Sequence, residues 1–207
     1  RSHPMSTERM ADMAGRAQQL NVNKQPGPPD VLHALMAARA RALTDKSPDV
    51  LRQLILQAQE RTLKDSVPNA ETLAAWYAGV MAHMSARQYP QAEQLLSQLR
   101  SSLPGQGAAQ DRVSWLAAEV ALSAGKFKEA WDELGRVSPE SSALRAHRIW
   151  RWQAWLSARQ AESAKQAQSD IDLWLSRHPR DGQAWELSAQ ALELAGDPLR
   201  SLRAQAE

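Results

Sequence analysis

Tight turns recur along this chain at a nearly constant spacing, and this recurrence constrains the fold more than any other feature. Arg87-Gln88-Tyr89, Gly125-Lys126-Phe127 and Gly196-Asp197-Pro198 each separate two helical runs. Trp76 and Trp185 lie three units of roughly 36 residues apart, at equivalent points of their units. The sequence therefore predicts an array of helical hairpins, in which each hairpin buries its apolar face against its neighbours.

Two helices joined by a short turn, repeated about every 34 residues, are typical of tetratricopeptide repeats. The unit from Ala70 to Pro104 resembles that repeat through Trp76 in its first helix, Tyr89 after the turn and Ala92 in its second helix. Later units keep part of the pattern, at Gly125, Phe127, Ala130, Ala167, Pro179, Trp185 and Gly196. The glycine inside the first helix of the repeat is replaced, by Val80, Ala118, Trp155 and Ala189. The resemblance predicts an all-α, tetratricopeptide-type helical-hairpin solenoid.

Composition supports helix throughout. Hydrophobic residues make up 43% of the chain, and most of them are Ala and Leu, which favour helix over strand. The formal net charge is +2, so no strong field toward nucleic acid or membrane is implied. The absence of cysteine excludes disulfides and thiolate metal sites. No apolar run reaches the roughly 18 residues that a membrane span requires.

Helix starts and the breaks between helices divide the chain into three parts, which are residues 1–28, 29–66 and 67–207. A short N-terminal helix ends near Leu20 and is followed by a linker rich in proline. Residues 29–66 form an irregular leading helix pair without the repeat pattern, and residues 67–207 form about four repeats, the last of them truncated. After the linker we predict helices at 30–44, 48–64, 69–86, 89–102, 109–124, 127–136, 139–159, 161–177, 181–195 and 198–206. The chain begins at Arg1 without an initiator methionine, so we expect a fragment or a processed product.

The first residues carry a second resemblance. His3 and Pro4, then four residues, then Arg9 and Met10, resemble a motif near the end of the catalytic domain in membrane-associated zinc metallopeptidases. In the branch called β-barrel assembly-enhancing proteases, this motif is followed by a helical linker and a tetratricopeptide array. The segment 184–207 is similar to that branch as well.

This resemblance implies a periplasmic quality-control protein of Gram-negative bacteria. Residues 1–28 would be the tail of the peptidase domain and its linker, and zinc would belong to the parent protein. The array would bind unfolded or misassembled outer-membrane protein segments, and would contact the β-barrel assembly machinery and the parent's own peptidase domain. The resemblance implies that His3 lies on a loop near the parent's catalytic cleft, and the alternative expectation is a flexible terminal histidine in this chain.

The zinc-binding helix of such peptidases is missing from the sequence. That helix needs two histidines one turn apart with a glutamate beside the first, so that both imidazoles reach the metal. The five histidines are His3, His33, His83, His147 and His178, and no two have that spacing. We therefore predict a non-catalytic chain that holds no cofactor. His83 is predicted to be packed in the core, and His33, His147 and His178 to lie on the surface.

Basic and aromatic residues alternate in the segment 145–155, which leaves three interpretations open. Trp150 and Trp155 can be core residues while the arginines face water. The segment can instead contact a peptide, with an arginine binding a carboxylate. Single-stranded nucleic acid is the third interpretation, but the balanced overall charge argues against it.

In arrays of this kind, the first helix of each hairpin lines a concave surface. Residues one turn away from the core stripe then point into the groove, where methionine and aromatic side chains suit an extended or unfolded peptide. The predicted peptide-binding residues are Tyr77, Met81, Met84, Trp115, Glu119, Trp152, Arg159, Glu186 and Gln190. The alternative for several of them is burial between repeats.

Two functions fit these observations. The first is a non-catalytic peptide-binding module of a periplasmic zinc metallopeptidase that acts in outer-membrane protein quality control. The second is a stand-alone tetratricopeptide adaptor for an envelope assembly or secretion complex. An enzyme without a recognised motif is a third and weaker possibility.

Overall fold

A computed structural model describes residues 6–19, 30–103 and 107–206. This part of the chain contains twelve helices and no strand, which confirms the all-α class. The helices are α1 (Ser6–Gln19), α2 (Val31–Thr44), α3 (Pro48–Lys64), α4 (Ala70–Ser85), α5 (Tyr89–Ser101), α6 (Ala108–Ser123), α7 (Phe127–Leu134), α8 (Pro139–Ser142), α9 (Arg145–Ser157), α10 (Ala161–Leu175), α11 (Gly182–Leu194) and α12 (Pro198–Gln205). None of the helices described is long and apolar enough to cross a membrane.

The chain divides into two compact units, residues 1–30 and residues 31–207. In the first unit, α1 carries an ion pair of 2.9 Å between Arg16 and Asp12 on successive turns. Its methionines Met10 and Met13 are exposed. The second unit contains all the other helices and the apolar core.

Capping residues explain where several helices begin. The Asn69 side chain accepts hydrogen bonds from the backbone N–H groups of Glu71 and Thr72 at the start of α4. The Asp181 side chain accepts one from the N–H of Ala184 at the start of α11. The observed helix ends therefore agree with the predicted ones to within one or two residues, with one exception.

The exception is the stretch 139–159, predicted as one helix, which forms α8 and α9. The helix stops at Ala143, and Leu144 has extended backbone with ψ 141°. The Asp111 carboxylate accepts hydrogen bonds from the backbone N–H (3.0 Å) and the hydroxyl (2.7 Å) of Ser138, which ties the start of α8 to α6. Neither glycine nor proline stands at the break, so the sequence does not mark it.

From α4 onward the helices pack as four successive hairpins. The pairs are α4 with α5, α6 with α7, α9 with α10, and α11 with α12, and each first helix also contacts the next first helix. The leading helices differ from this pattern, because α3 packs against α4 while α2 packs against both α4 and α6.

The same left-handed turn ends the first helix of every hairpin. Arg87 (φ 58°), Gly125 (φ 76°), Arg159 (φ 50°) and Gly196 (φ 81°) occupy the corresponding position. In α4, α6 and α11, the residue after the turn donates its N–H to a carbonyl five residues back, as in a Schellman motif. These turns align the four hairpins residue by residue.

Aligned on these turns, Val80, Ala118, Trp152 and Ala189 occupy one buried position where helices cross. The repeat pattern in the sequence predicted Trp155 at this position, and that register is wrong by three residues. The error arose because the third hairpin has no turn glycine and because the break before α9 was not recognised.

Candidate functional site

The turn alignment defines one surface that is shared by the four first helices. We call it the inner face. It consists of Tyr77, Met81 and Met84 of α4, Trp115, Glu119 and Leu122 of α6, Ile149, Gln153 and Leu156 of α9, and Glu186, Gln190 and Glu193 of α11. Contacts between helices support this alignment, because one arginine reaches both Tyr77 and Glu119 and one groove is lined by both Gln153 and Gln190.

Helix α2 covers the part of the inner face formed by α4 and α6, which we call the covered half. Arg39 of α2 donates a hydrogen bond of 2.7 Å to the Glu119 carboxylate and a longer one of 3.5 Å to the Tyr77 hydroxyl. Tyr77 is 1% exposed and Met81 is 2% exposed, while Met84 is half-buried. Tyr77 therefore contacts the chain's own helix α2, while Met81 and Met84 pack in the same apolar core as α2 and do not line an open groove.

The contact between α2 and the covered half is electrostatically matched. Burial works to lower the pKa of Arg39, but the hydrogen bond and charge of Glu119 outweigh it, and the pKa is raised. Burial raises the pKa of the Tyr77 phenol. The raised pKa of Arg39 keeps its guanidinium charged beside the Glu119 carboxylate, and the raised pKa of Tyr77 keeps its phenol neutral.

Trp115 lies at the boundary of the covered half. Its indole N–H donates a 3.2 Å hydrogen bond to Nδ1 of His147 on α9. The guanidinium of Arg112 lies 4.0 Å from the centre of the Trp115 ring, in a cation–π contact. One guanidinium nitrogen of Arg112, Nη1, is buried and has no hydrogen-bond partner among the described residues.

His147 was predicted on the surface, and this is corrected by the structure, where it is 1% exposed. Burial, together with the nearby charges of Arg151 and Arg148, lowers the pKa of His147 to about 4. A neutral imidazole accepts the bond from Trp115, so α6 and α9 are joined by a pair that contains a titratable group.

The part of the inner face formed by α9 and α11, which we call the open half, is accessible. A groove of about 830 Å³ runs between the two helices. Its wall includes Gln153, Leu156 and Gln190, and Arg159 lies at its edge in the turn after α9. Glu186, on the same face of α11, is exposed. Of the predicted residues, Gln190 and Arg159 are thus brought to one groove, with Glu186 nearby.

Trp152, in contrast, is fully buried and does not face the groove. Its indole N–H donates a 2.7 Å hydrogen bond to the Asp170 carboxylate on α10. Arg148 also pairs with Asp170, at 3.3 Å. In the third hairpin, Ile149 and Gln153 lie on the inner face, where the sequence pattern predicted Trp152.

The alternating basic and aromatic segment makes contacts mostly within the fold. The guanidinium of Arg151 lies 4.9 Å from the ring centre of Trp131 and 5.1 Å from that of Trp155. Arg145 forms a two-pronged ion pair with Asp181, at 2.7 and 2.6 Å. The hydrogen bond from Arg145 is the main cause that lowers the pKa of Asp181. These contacts favour the packing interpretation, although Arg148 and Arg151 are part-buried and do not simply face water.

The remaining predicted residues lie outside the inner face. His3 and Pro4 lie outside the described residues, and Arg9 lies on an exposed position of α1. His83 is buried, as predicted, and its Nδ1 is 2.7 Å from the side-chain oxygen of Gln88. His178 is exposed and its ring centre lies 3.9 Å from that of Trp174.

Two inner-face contacts were not found from the sequence. Arg39 was missed because α2 carries no repeat pattern, and Gln153 was missed because the register of the third hairpin was misplaced. A sequence signal for that register was the spacing of Arg159 from Gly125 and Gly196, which is close to one repeat length on either side.

Comparison with known proteins adds no family assignment, because no protein-family model and no curated protein matches the chain.

Proposed function

We propose that this chain is a non-catalytic peptide-binding module built from tetratricopeptide-type repeats. In this proposal, the open half of the inner face binds extended or unfolded protein segments. The supporting observation is the groove of about 830 Å³ between α9 and α11. Grooves of several hundred Å³ are of the size that protein ligand sites usually have.

The chemistry of the groove suits an extended backbone. Gln153 and Gln190 place side-chain amides along it, and each amide can both donate and accept a hydrogen bond, as a peptide backbone requires. Leu194, which is half-buried, adds apolar surface for side chains of varied shape, and Leu156 forms a largely buried part of the wall. Such a site binds many sequences weakly, which is the behaviour needed of a module that handles unfolded chains.

We extend the proposal to a parent protein, a periplasmic zinc metallopeptidase that acts in outer-membrane protein quality control. Support comes from the His3, Pro4 and Arg9 motif followed by a helical array. The proposed partners are unfolded outer-membrane protein segments, the β-barrel assembly machinery and the parent's peptidase domain. Zinc belongs to that parent in this proposal.

The groove is tested by fluorescence anisotropy with a labelled peptide that corresponds to one β-strand of an outer-membrane protein. The double variant Gln153→Ala/Gln190→Ala should weaken binding about tenfold, since each lost hydrogen bond is worth about 1 kcal/mol or less net. Gln166→Ala is the matched control, because Gln166 is an exposed glutamine on α10. Equal affinity of the double variant and the wild type would show that the groove is not the binding site.

The parent is tested by the intact mass and zinc content of the native polypeptide that carries this sequence. A protein much heavier than 22.9 kDa that holds zinc would support the peptidase. A metal-free native protein near that mass would instead support the stand-alone adaptor.

A further inference from the structure

Arg151 is the arginine of α9 that has no carboxylate partner among the described residues. Arg145 and Arg148, on the same helix, each form an ion pair with an aspartate. Arg151 instead lies beside the rings of Trp131 and Trp155, which stack on each other with ring centres 4.9 Å apart. Cation–π contacts hold a guanidinium in position, but its N–H groups are best satisfied by the oxygens of an anion.

Arg151 lines a cavity of about 360 Å³ at the junction of α7, α8 and α9, which we call the α7–α9 cavity. Trp131 and His147 line it as well, and its apolar wall includes Val137 and Pro139. None of the described residues that line it is aspartate or glutamate. The cavity therefore has a positive charge in its wall and no carboxylate of the described fold to balance that charge.

His147 provides a second hydrogen-bond donor at the same cavity. Its Nδ1 accepts the indole N–H of Trp115, so the proton of the neutral ring is on Nε2. The histidine is 1% exposed, and its Nε2 has no hydrogen-bond partner in the part of the chain that the structure describes. Burial, Arg151 and Arg148 lower the pKa of His147 against the opposing charge of Asp111, so positive charge prevails at this ring. A buried donor without an acceptor is unfavourable, and an anion would supply the acceptor.

We propose that the α7–α9 cavity is a binding site for a peptide carboxylate that is joined to an apolar group. The carboxylate accepts hydrogen bonds from the guanidinium of Arg151 and from Nε2 of His147, and the apolar group contacts Val137 and Pro139. One guanidinium and one neutral imidazole match a single negative charge, and the planar guanidinium matches a planar carboxylate.

This site is separate from the open groove and does not depend on it. Arg151 and Gln153 are two positions apart on α9, so they lie on nearly opposite sides of the helix. The carboxylate has two sources in a peptide, the C-terminus and an acidic side chain, and both offer the same chemistry to the cavity.

The wild-type chain tests the ligand class without any substitution. NMR at pH 7 follows the ring signals of His147 and the indole N–H of Trp131 while N-acetyl-leucine or its uncharged amide is added. The acid should bind at least about tenfold more tightly than the amide, because the amide offers no charge to the guanidinium. Equal binding of the two compounds, or no binding of either, would overturn the proposal. Tighter binding of inorganic phosphate would overturn the carboxylate as the ligand.

Two peptides distinguish the sources of the carboxylate. One ends in leucine with a free C-terminus, and the other has glutamate in place of that leucine and an amidated end. Each competes with N-acetyl-leucine, and the one that competes at the lower concentration identifies the source. Failure of both peptides to compete would overturn a peptide as the ligand.

Substitution of Arg151 tests the assigned contact. Arg151→Gln should weaken the binding of N-acetyl-leucine at least about tenfold. Arg151→Lys keeps the charge and the cation–π contact but loses the planar fork, so its affinity should lie between those of the wild type and the glutamine variant. Arg177→Gln is the matched control, because Arg177 is exposed in the turn after α10. Wild-type affinity in both Arg151 variants would show that the carboxylate does not bind at this guanidinium.

Discussion

The covered half and the open half share one hairpin geometry but are held together by different chemistry. Around α4, packing is mostly apolar and close, with a few polar contacts such as that of Arg39 with Tyr77: a Cβ added to Gly79 would lie 2.7 Å from the Cβ of Ala58 and 2.9 Å from a methyl group of Leu95. Around α9, tryptophan, arginine and aspartate make specific polar contacts, such as those of Trp152 and Arg148 with Asp170.

The inner-face residues differ in the same way. They are mostly apolar where α2 covers them, at Tyr77 and Met81, with the ion-paired Glu119 as the exception, and mostly polar where the groove is open, at Gln153, Glu186 and Gln190. Each set suits its surroundings, because exposed large apolar patches are uncommon on proteins unless a partner covers them. The same hairpin backbone therefore forms around two kinds of core. In each half, the residues of the inner face match the surroundings that cover them.

The largest expected effect is at the shared crossing position. Trp152→Ala should lower the free energy of unfolding by about 4 kcal/mol, because it leaves a large cavity and an unpaired Asp170 carboxylate oxygen. Val80→Ala at the corresponding point of the covered half should cost about 2 kcal/mol, since less volume is removed. Urea denaturation of both variants measures the difference. Similar losses for the two variants would remove the proposed contrast between the halves.

A second prediction concerns pH at the junction of the two halves. The pKa of His147 is about 4 in the fold and about 6.5 in the unfolded chain, so the unfolded state binds more protons between these values. The contribution of neutral His147 to the free energy of unfolding is therefore complete above pH 6.5. That free energy falls by about 2 to 3 kcal/mol as the pH is lowered to 4.

Chemical denaturation at a series of pH values measures this slope. His147→Gln keeps an acceptor for the Trp115 indole but does not titrate, so its profile should be flatter over the same range. An unchanged slope in that variant would assign the pH dependence to other groups.

The smallest expected effect on the free energy of unfolding is at the left-handed turns, one in the covered half and others in the open half. Arg87 and Arg159 have left-handed backbone, which costs a non-glycine residue about 1 kcal/mol. Arg87→Gly and Arg159→Gly should each raise the free energy of unfolding by up to that amount, and Gly196→Ala should lower it similarly. Thermal melting of the three variants checks the signs. Destabilisation by Arg159→Gly alone would show that this side chain has a structural role in the open half.

Local patterns in the sequence were sufficient to predict most of the fold. The caps at Asn69 and Asp181 and the turn glycines Gly125 and Gly196 act within a few residues, so they located helix ends without knowledge of tertiary packing. The break at Leu144 was missed because neither glycine nor proline stands there, so no local pattern marks it.

The candidate site could be predicted only in part, for the same reason. Glu186 and Gln190 lie on an exposed face of α11, whose register Trp185 indicated in the sequence, and their binding role stays a prediction. Tyr77 and Met81 were placed on the inner face, but their cover was not foreseen, since nothing in the sequence of α2 indicates that it packs on α4 and α6. The position of a non-repeat helix depends on distant contacts that have no local sequence pattern.

The ion pair between Arg39 and Glu119 joins residues 80 positions apart in the chain. Each hairpin forms from contacts between neighbours in the sequence, and such local contacts form early in folding. The contact of α2 with α6 closes a much longer loop, so its entropic cost is higher. We therefore expect this contact to form later in folding than the contacts within a hairpin. The α6 part of the inner face is therefore expected to be covered later in folding than the α4 part, which α2 reaches over a shorter stretch of chain.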